Sequence, residues 1–178
     1  MILNKGGFAM SFKEIKPEAL TWNPFTEIGK TWFLVTAGDE EKANTMTVSW
    51  GGLGIFWGKP AATVYLRQTR YTKEFVDKDG LFTLSALPES QRRALSFCGS
   101  KSGRDLTDKI KEAGLTPYYV DGTTGIGEAD ALLVCKPMLA TFLSPKDFID
   151  PEMDKKWYSD RNYHTMYIAE ITKVLVKE

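Results

Sequence analysis

The sequence is poor in the residues that most often carry chemistry. It holds one histidine, His164, and two cysteines, Cys98 and Cys135, in 178 residues. The cysteines stand far apart without CxxC spacing. A Cys/His zinc centre wants four ligands, so no metal site is expected. Two isolated cysteines read as reduced thiols in a reducing compartment. No apolar run approaches the ~20 residues that cross a bilayer. The stretch before Met10 lacks the apolar core of a signal peptide, so a cytoplasmic location is expected. Net charge is missing too: 23 Lys+Arg stand against 23 Asp+Glu. A nucleic-acid binder shows a basic excess, and that function class is set aside.

The familiar nucleotide and nucleophile signatures are also absent. Gly51-Gly-Leu-Gly54 is not GxGxxG and runs into Ile-Phe-Trp rather than a helix. Gly99-Ser-Lys-Ser-Gly-Arg104 lacks P-loop spacing, and there is no GxSxG elbow.

What is present suits a globular fold. Hydrophobic residues make up 43% and charged residues 26%, and the length fits one domain. Met10-Ser-Phe-Lys13 looks like a second start. Residues 1–10 are therefore expected to be a flexible leader, with a single domain over 11–178.

Strand signals dominate. Residues 31–37, 45–50, 62–67 and 81–86 are rich in β-branched and aromatic residues. Residues 131–136 and 138–143 are separated by Pro137, which predicts an edge or a bulge, and 165–176 form a long closing strand. Within 45–50, period two puts Thr45, Thr47 and Ser49 on one face and Met46, Val48 and Trp50 on the other. Three short helices are expected, over 71–78, 89–98 and 104–113. The last has capping-box spacing at Ser102 and Asp105 and a stop at Gly114. Six or seven strands with few helices predict a mainly β fold, an antiparallel barrel with helical decorations.

Three polar segments stand out, each open to two readings. Asn44–Gly51 is either a strand with one solvated face or a polar strand lining a flat heterocycle. Arg67-Gln-Thr-Arg-Tyr-Thr-Lys73 brings two arginines and two threonines to a helix start. That setting suits a phosphate, or equally an N-cap with solvated arginines. Gly99–Asp105 precedes another predicted helix, where capping alone explains Ser102 and Asp105.

In combination and order, the three segments resemble the flavin reductase-like family, the FMN-binding split barrels that include flavoredoxin. N-x-M-T-x-S-W-G stands at residues 44–51, R-x-x-R-x-T at 67–72, and S-G-R-D-x-x-D-K at 102–109. The resemblance implies a six-stranded antiparallel split barrel, a homodimer with FMN near its interface, and no nucleic-acid or membrane role. It implies that Thr45, Met46, Thr47, Ser49 and Trp50 approach the isoalloxazine and ribityl chain. Arg67, Thr69, Arg70 and Thr72 would serve the phosphate, with Ser100, Lys101, Ser102, Arg104 and Lys109 as further contacts. The family pattern does not extend over residues 144–163. There Trp157, with His164 just beyond, is expected to face substrate, although a dimer contact explains the same aromatics.

The flavin would carry the chemistry and no protein acid or base is required, which suits a chain with one histidine. The implied activity is an FMN-dependent oxidoreductase of the NAD(P)H:flavin reductase type, with a monooxygenase or other redox protein as possible recipient. The alternative is a flavoredoxin-like electron carrier without NAD(P)H activity.

Overall fold

A computed structural model describes residues 11–178. The leader expected over residues 1–10 lies outside the described residues. The strands are β1 (Phe12–Ile15), β2 (Phe33–Gly38), β3 (Ala43–Val48), β4 (Gly51–Phe56), β5 (Lys59–Arg67), β6 (Phe82–Ala86), β7 (Pro117–Val120), β8 (Thr123–Ile126), β9 (Ala131–Phe142) and β10 (His164–Lys177). The helices are α1 (Pro24–Thr26), continued by a π-turn over Glu27–Thr31, then α2 (Tyr71–Asp79), α3 (Arg92–Ser100), α4 (Lys109–Glu112) and α5 (Glu152–Trp157).

Every pairing is antiparallel. The main sheet runs β3-β2-β6-β9-β10-β5-β4, with β1 added on β10. The order explains why the sheet must curl. Laid flat, its seven-strand path would be roughly 29 Å wide at ~4.8 Å per strand. Yet β3 and β4, at opposite edges, are joined only by Ser49 and Trp50, which with their flanks reach about 11 Å at most. The two edges therefore come close without pairing. The result is a barrel left unsealed along one seam, a split barrel as the family resemblance implies.

Period-two alternation sorts the side chains. Phe33, Val35 and Ala37 of β2 face the barrel interior with Met46, Val48, Leu84 and Leu133. Leu34, between them, points outward onto Leu95, Cys98 and Ile110. That second core fixes α3 and α4 beside β3.

Several expectations change. The sheet has eight strands rather than six, and β7 and β8 form a separate hairpin. The strand expected from residue 31 starts at Phe33, because the π-turn ends in Trp32 at φ 71°. Pro137 does not divide two strands: β9 passes through it, and the register slips at Ala169↔Pro137. The bulge is there, but β9 lies inside the sheet and not at an edge. The helix expected over 89–98, with Gly99 as its stop, runs instead over Arg92–Ser100, after a 3-10 turn at Glu89–Gln91. The helix expected over 104–113 shortens to Lys109–Glu112, capped by Asp108, whose carboxylate accepts from the Lys111 N–H at 3.2 Å. Ser102 and Asp105 make a local turn instead. The stop at Gly114 holds.

Candidate functional site

A groove follows the seam. Its wider part, about 260 Å³, is lined by Met46, Thr47, Val48, Ser49 and Trp50 on one side. Tyr65, Arg67, Arg70, Trp157 and His164 line the other. Its narrower part, about 170 Å³, continues past Met46 and Arg70 to Thr69, Tyr71, Thr72 and the Ser100–Gly103 turn, with Lys109 beneath. Five consecutive residues, 46–50, line the wider part. A strand face would supply alternate residues only. The groove thus meets the edge of β3, where unpaired backbone N–H and C=O groups point away from β2.

This alters the role of the strand's hydroxyls. Thr45 is fully buried, 2.8 Å from the Thr36 hydroxyl, and does not line the groove. Thr47 donates to the Leu95 carbonyl and ties β3 to α3. Ser49 and Trp50 lie beyond the strand in the two-residue link.

The two arginines separate. Arg67 sits opposite His164 in the β5–β10 register. Its guanidinium donates to the Asp160 carboxylate at 3.1 and 3.2 Å and to the Trp157 carbonyl at 3.0 Å. It therefore fastens segment 144–163 to the barrel. Arg70 is half-buried and lies in both parts of the groove. Its guanidinium has no hydrogen-bond or carboxylate partner among the described residues. Burial, then the positive charge of Arg67, depresses its pKa. Arg70 is also the N-cap of α2, which has no side-chain cap. Orphan N–H donors and an unpaired guanidinium at one helix start make a strong anion site.

The far wall is the Ser100–Gly103 turn. Lys101 is exposed there, and the Ser100 hydroxyl donates to the Ser96 and Phe97 carbonyls. A Cβ on Gly103 would come 1.9 Å from the Asn44 Oδ1, so any larger residue would have to displace the Asn44 side chain. Asn44 in turn donates to Thr72 at 2.7 Å. Lys109 is 5% exposed, and its ammonium donates to the Cys98 carbonyl at 2.8 Å. Burial lowers its pKa to about 8. Arg104 pairs with Glu74, donates to the Thr69 carbonyl at 2.9 Å and lies over Tyr71, outside the groove proper.

At the wide end, His164 is buried and its Nδ1 lies 2.9 Å from the Tyr158 hydroxyl. Burial first, then Arg67 and Arg70, lower its pKa to about 4. Trp50 meets Trp157 edge-on at 5.0 Å and His164 at 5.2 Å. Both residues expected to face substrate, His164 and Trp157, thus line the groove.

Sequence reasoning missed Tyr65, Asn44, Gly103 and the clamp formed by Asp160 and Asn162. Asn162 donates to the Thr69 hydroxyl at 2.7 Å. Tyr65 was available from alternation, being two residues before Arg67 on the same face of β5. Among the described residues, no cluster of His, Cys, Asp and Glu could hold a metal. No described helix is long and apolar enough to cross a membrane.

Residues 25–178 match the model of a family described as flavin reductase like domain. No curated protein sequence matches the chain. Among solved structures, it is similar to an FMN-binding domain of a flavin reductases-like enzyme from Shewanella baltica OS155. That match has 19% identity and a TM-score of 0.66, covering 94% of this chain and 78% of that one. It is similar to flavoredoxin of Desulfovibrio vulgaris (Miyazaki F), at 23% identity and TM-score 0.64, covering 100% and 78%. It is also similar to nitrilotriacetate monooxygenase component B from Bacillus cereus, at 18% identity and TM-score 0.65, covering 94% and 83%.

Proposed function

The chain belongs to the flavin reductase-like domain family, and we propose that it binds FMN in the seam groove and acts as an NAD(P)H:flavin reductase. The observation that carries this is Arg70: a half-buried guanidinium without a hydrogen-bond or carboxylate partner among the described residues, at the uncapped start of a nine-residue helix. A partly desolvated cation without an internal partner gains from a ligand that completes it. The groove runs from the Ser100–Gly103 turn and Lys109, past that cation, to an edge of backbone donors flanked by aromatic rings. That sequence of environments suits a phosphate at the narrow end and a flat heterocycle at the wide end.

Bound flavin would supply the hydride and electron transfer. The protein's part is binding and exclusion. Arg70, Lys101, Lys109 and the first N–H groups of α2 would hold the phosphate, with Thr69, Thr72, Ser100 and Ser102 around them. The β3 edge and the 49–50 link would receive the ring system, and Trp50 and Trp157 would keep water from one face. His164, kept neutral by burial beside Tyr158, would present an uncharged ring to substrate. Arg67 acts at one remove, by holding the segment that carries Trp157.

The likeness to component B of a monooxygenase supports a role in passing reduced flavin to a partner enzyme. A homodimer fits as well. β4 leaves one edge unpaired among the described strands, and near it Ile55 and Trp57 are exposed. Light scattering of the purified protein measures that state.

The visible spectrum of the protein, with FMN added, followed by anaerobic NADH or NADPH, tests the reading. Yellow protein bleached within seconds is the expected result. Flavin bound but unbleached by either donor would assign an electron carrier instead. Absence of flavin affinity would remove both.

A further inference from the structure

We propose that Asn44 is a positioning residue: it turns the Thr72 hydroxyl into a donor and so helps make the narrow end of the groove a cradle for a group that only accepts hydrogen bonds. The inference rests on the flavin reading above and names what selects the phosphate there. It follows from where each hydroxyl of the narrow end sends its proton.

A threonine or serine hydroxyl has one proton to donate and lone pairs that accept. Where a neighbouring N–H meets a lone pair, the proton is left for another partner. Thr69, Thr72 and Ser102, which line the narrow end, stand in that state. Thr72 accepts from the Asn44 amide at 2.7 Å. Thr69 accepts from the Asn162 amide at 2.7 Å, and Ser102 from the Arg104 N–H at 3.2 Å. None of these hydroxyls donates to an acceptor among the described residues. Ser100 differs, because its proton goes to the Ser96 and Phe97 carbonyls. The charged side chains here are Arg70, Lys101 and Lys109, and no carboxylate lines the narrow end. The remaining side-chain acceptor, the Asn44 Oδ1, lies against Gly103, where an added Cβ would come within 1.9 Å of it.

The three hydroxyls differ in weight. Thr69 is exposed and Ser102 half-buried, so water can accept from either. Thr72 is 1% exposed, and it is the second residue of α2, where the backbone N–H also lacks a helical partner. Asn44 is 3% exposed and belongs to β3, so the strand fixes the amide that meets Thr72. A buried donor without an acceptor is unfavourable, and a ligand that brings lone pairs relieves it. A phosphate dianion has acceptor oxygens and no proton to place. A hydroxymethyl group has a proton of its own and meets no free side-chain acceptor there. The narrow end therefore selects a flavin bearing a terminal phosphate over the same flavin without it.

The test is fluorescence titration of the full chain, stripped of flavin, with FMN and with riboflavin, reading the ratio of the two affinities. The native chain should prefer FMN. Thr72→Val should cut that preference about tenfold, and Thr72→Ser should keep it. Asn44→Ala should cut it about fivefold. In the Thr72→Val background Asn44→Ala should change it by less than about twofold, because the amide acts through that hydroxyl. Thermal melts check that each variant folds. Should Asn44→Ala fail to fold, Gly103→Ala displaces the same amide and should show the same loss of preference. A merely structural tie between β3 and α2 would weaken FMN and riboflavin alike. That result in Asn44→Ala, a full loss in the Thr72→Val background, or a preference untouched by Thr72→Val would overturn the cradle while the flavin reading stands. Equal binding of FMN and riboflavin by the native chain would overturn the cradle and the phosphate assignment together. If neither flavin binds, but calorimetry shows inorganic phosphate binding that Thr72→Val and Asn44→Ala both weaken, the flavin reading fails and the cradle stands.

Discussion

Replacing the two arginines one at a time separates their roles. Arg70→Ala removes a guanidinium that bonds to nothing described inside the protein, so folding stability should hold or rise slightly. Its loss should fall on the phosphate. A charge-assisted hydrogen bond contributes roughly 1.5–3 kcal/mol, so FMN affinity should drop roughly 10- to 150-fold. Riboflavin, which has no phosphate, should bind the variant as it binds the native chain. Arg67→Ala should do the opposite. Its pair with Asp160 is partly exposed, at 27% and 57% for the two side chains. Such a pair contributes no more than about 1 kcal/mol. Loosening segment 144–163 should weaken FMN and riboflavin alike, by up to about fivefold. Fluorescence titration of both flavins against both variants measures this. If Arg67→Ala erased the preference for FMN over riboflavin and Arg70→Ala spared it, the division of labour would be refuted.

Three further outcomes follow from groups already placed. His164 titrates near 4 in the fold against about 6.5 when unfolded. The unfolded chain therefore binds the extra proton between those values, and stability should fall as pH drops through that window, by roughly 3 kcal/mol at most. Urea melts of the native chain and His164→Gln at pH 7 and pH 5 would show it, with the variant losing less. Lys109, at about 8, loses its proton above that pH when no phosphate is bound. FMN affinity should decline from pH 8 upward and stay flat in Lys109→Met; a native chain indifferent to pH would remove Lys109 from the phosphate site. Thr45→Val leaves the buried Thr36 hydroxyl short of its partner and should cost about 1–3 kcal/mol. Flavin affinity should be unchanged, because Thr45 does not reach the groove.

Local pattern carried much of the fold. β2, β3, β5, β6 and β10 announce themselves by alternating branched and aromatic residues. β4 does not, because Gly51, Gly52 and Gly54 erase the pattern and the strand exists only by pairing with β5. The misplaced helix at 104–113 has a physical cause. Residues 101–107 form turns held by Arg104 to α2 and by Gly103 against Asn44, contacts from 30 residues or more away. A local capping signal could not weigh them. The site was legible as a set of segments, and as residues only in part. Nothing within Arg67–Thr72 distinguishes the arginine that meets Asp160 from the one left open, because Asp160 lies 93 positions from Arg67. The hydroxyls of Thr45 and Thr47 looked like ligand contacts because a strand read alone has no α3 or β2 to bond.

The placement of β10 inside the sheet bears on how the protein is made. It comes last of the described strands, yet β9, β5 and β1 all pair with it. Until translation has passed residue 177, β5 and β9 wait with open edges, the condition in which nascent chains aggregate. Arg67 has no His164 beside it during that interval, so the groove wall that Tyr65, Arg67 and Arg70 begin is incomplete on the ribosome. Chains cut short before residue 164 should accumulate as insoluble material, and added flavin should not rescue them.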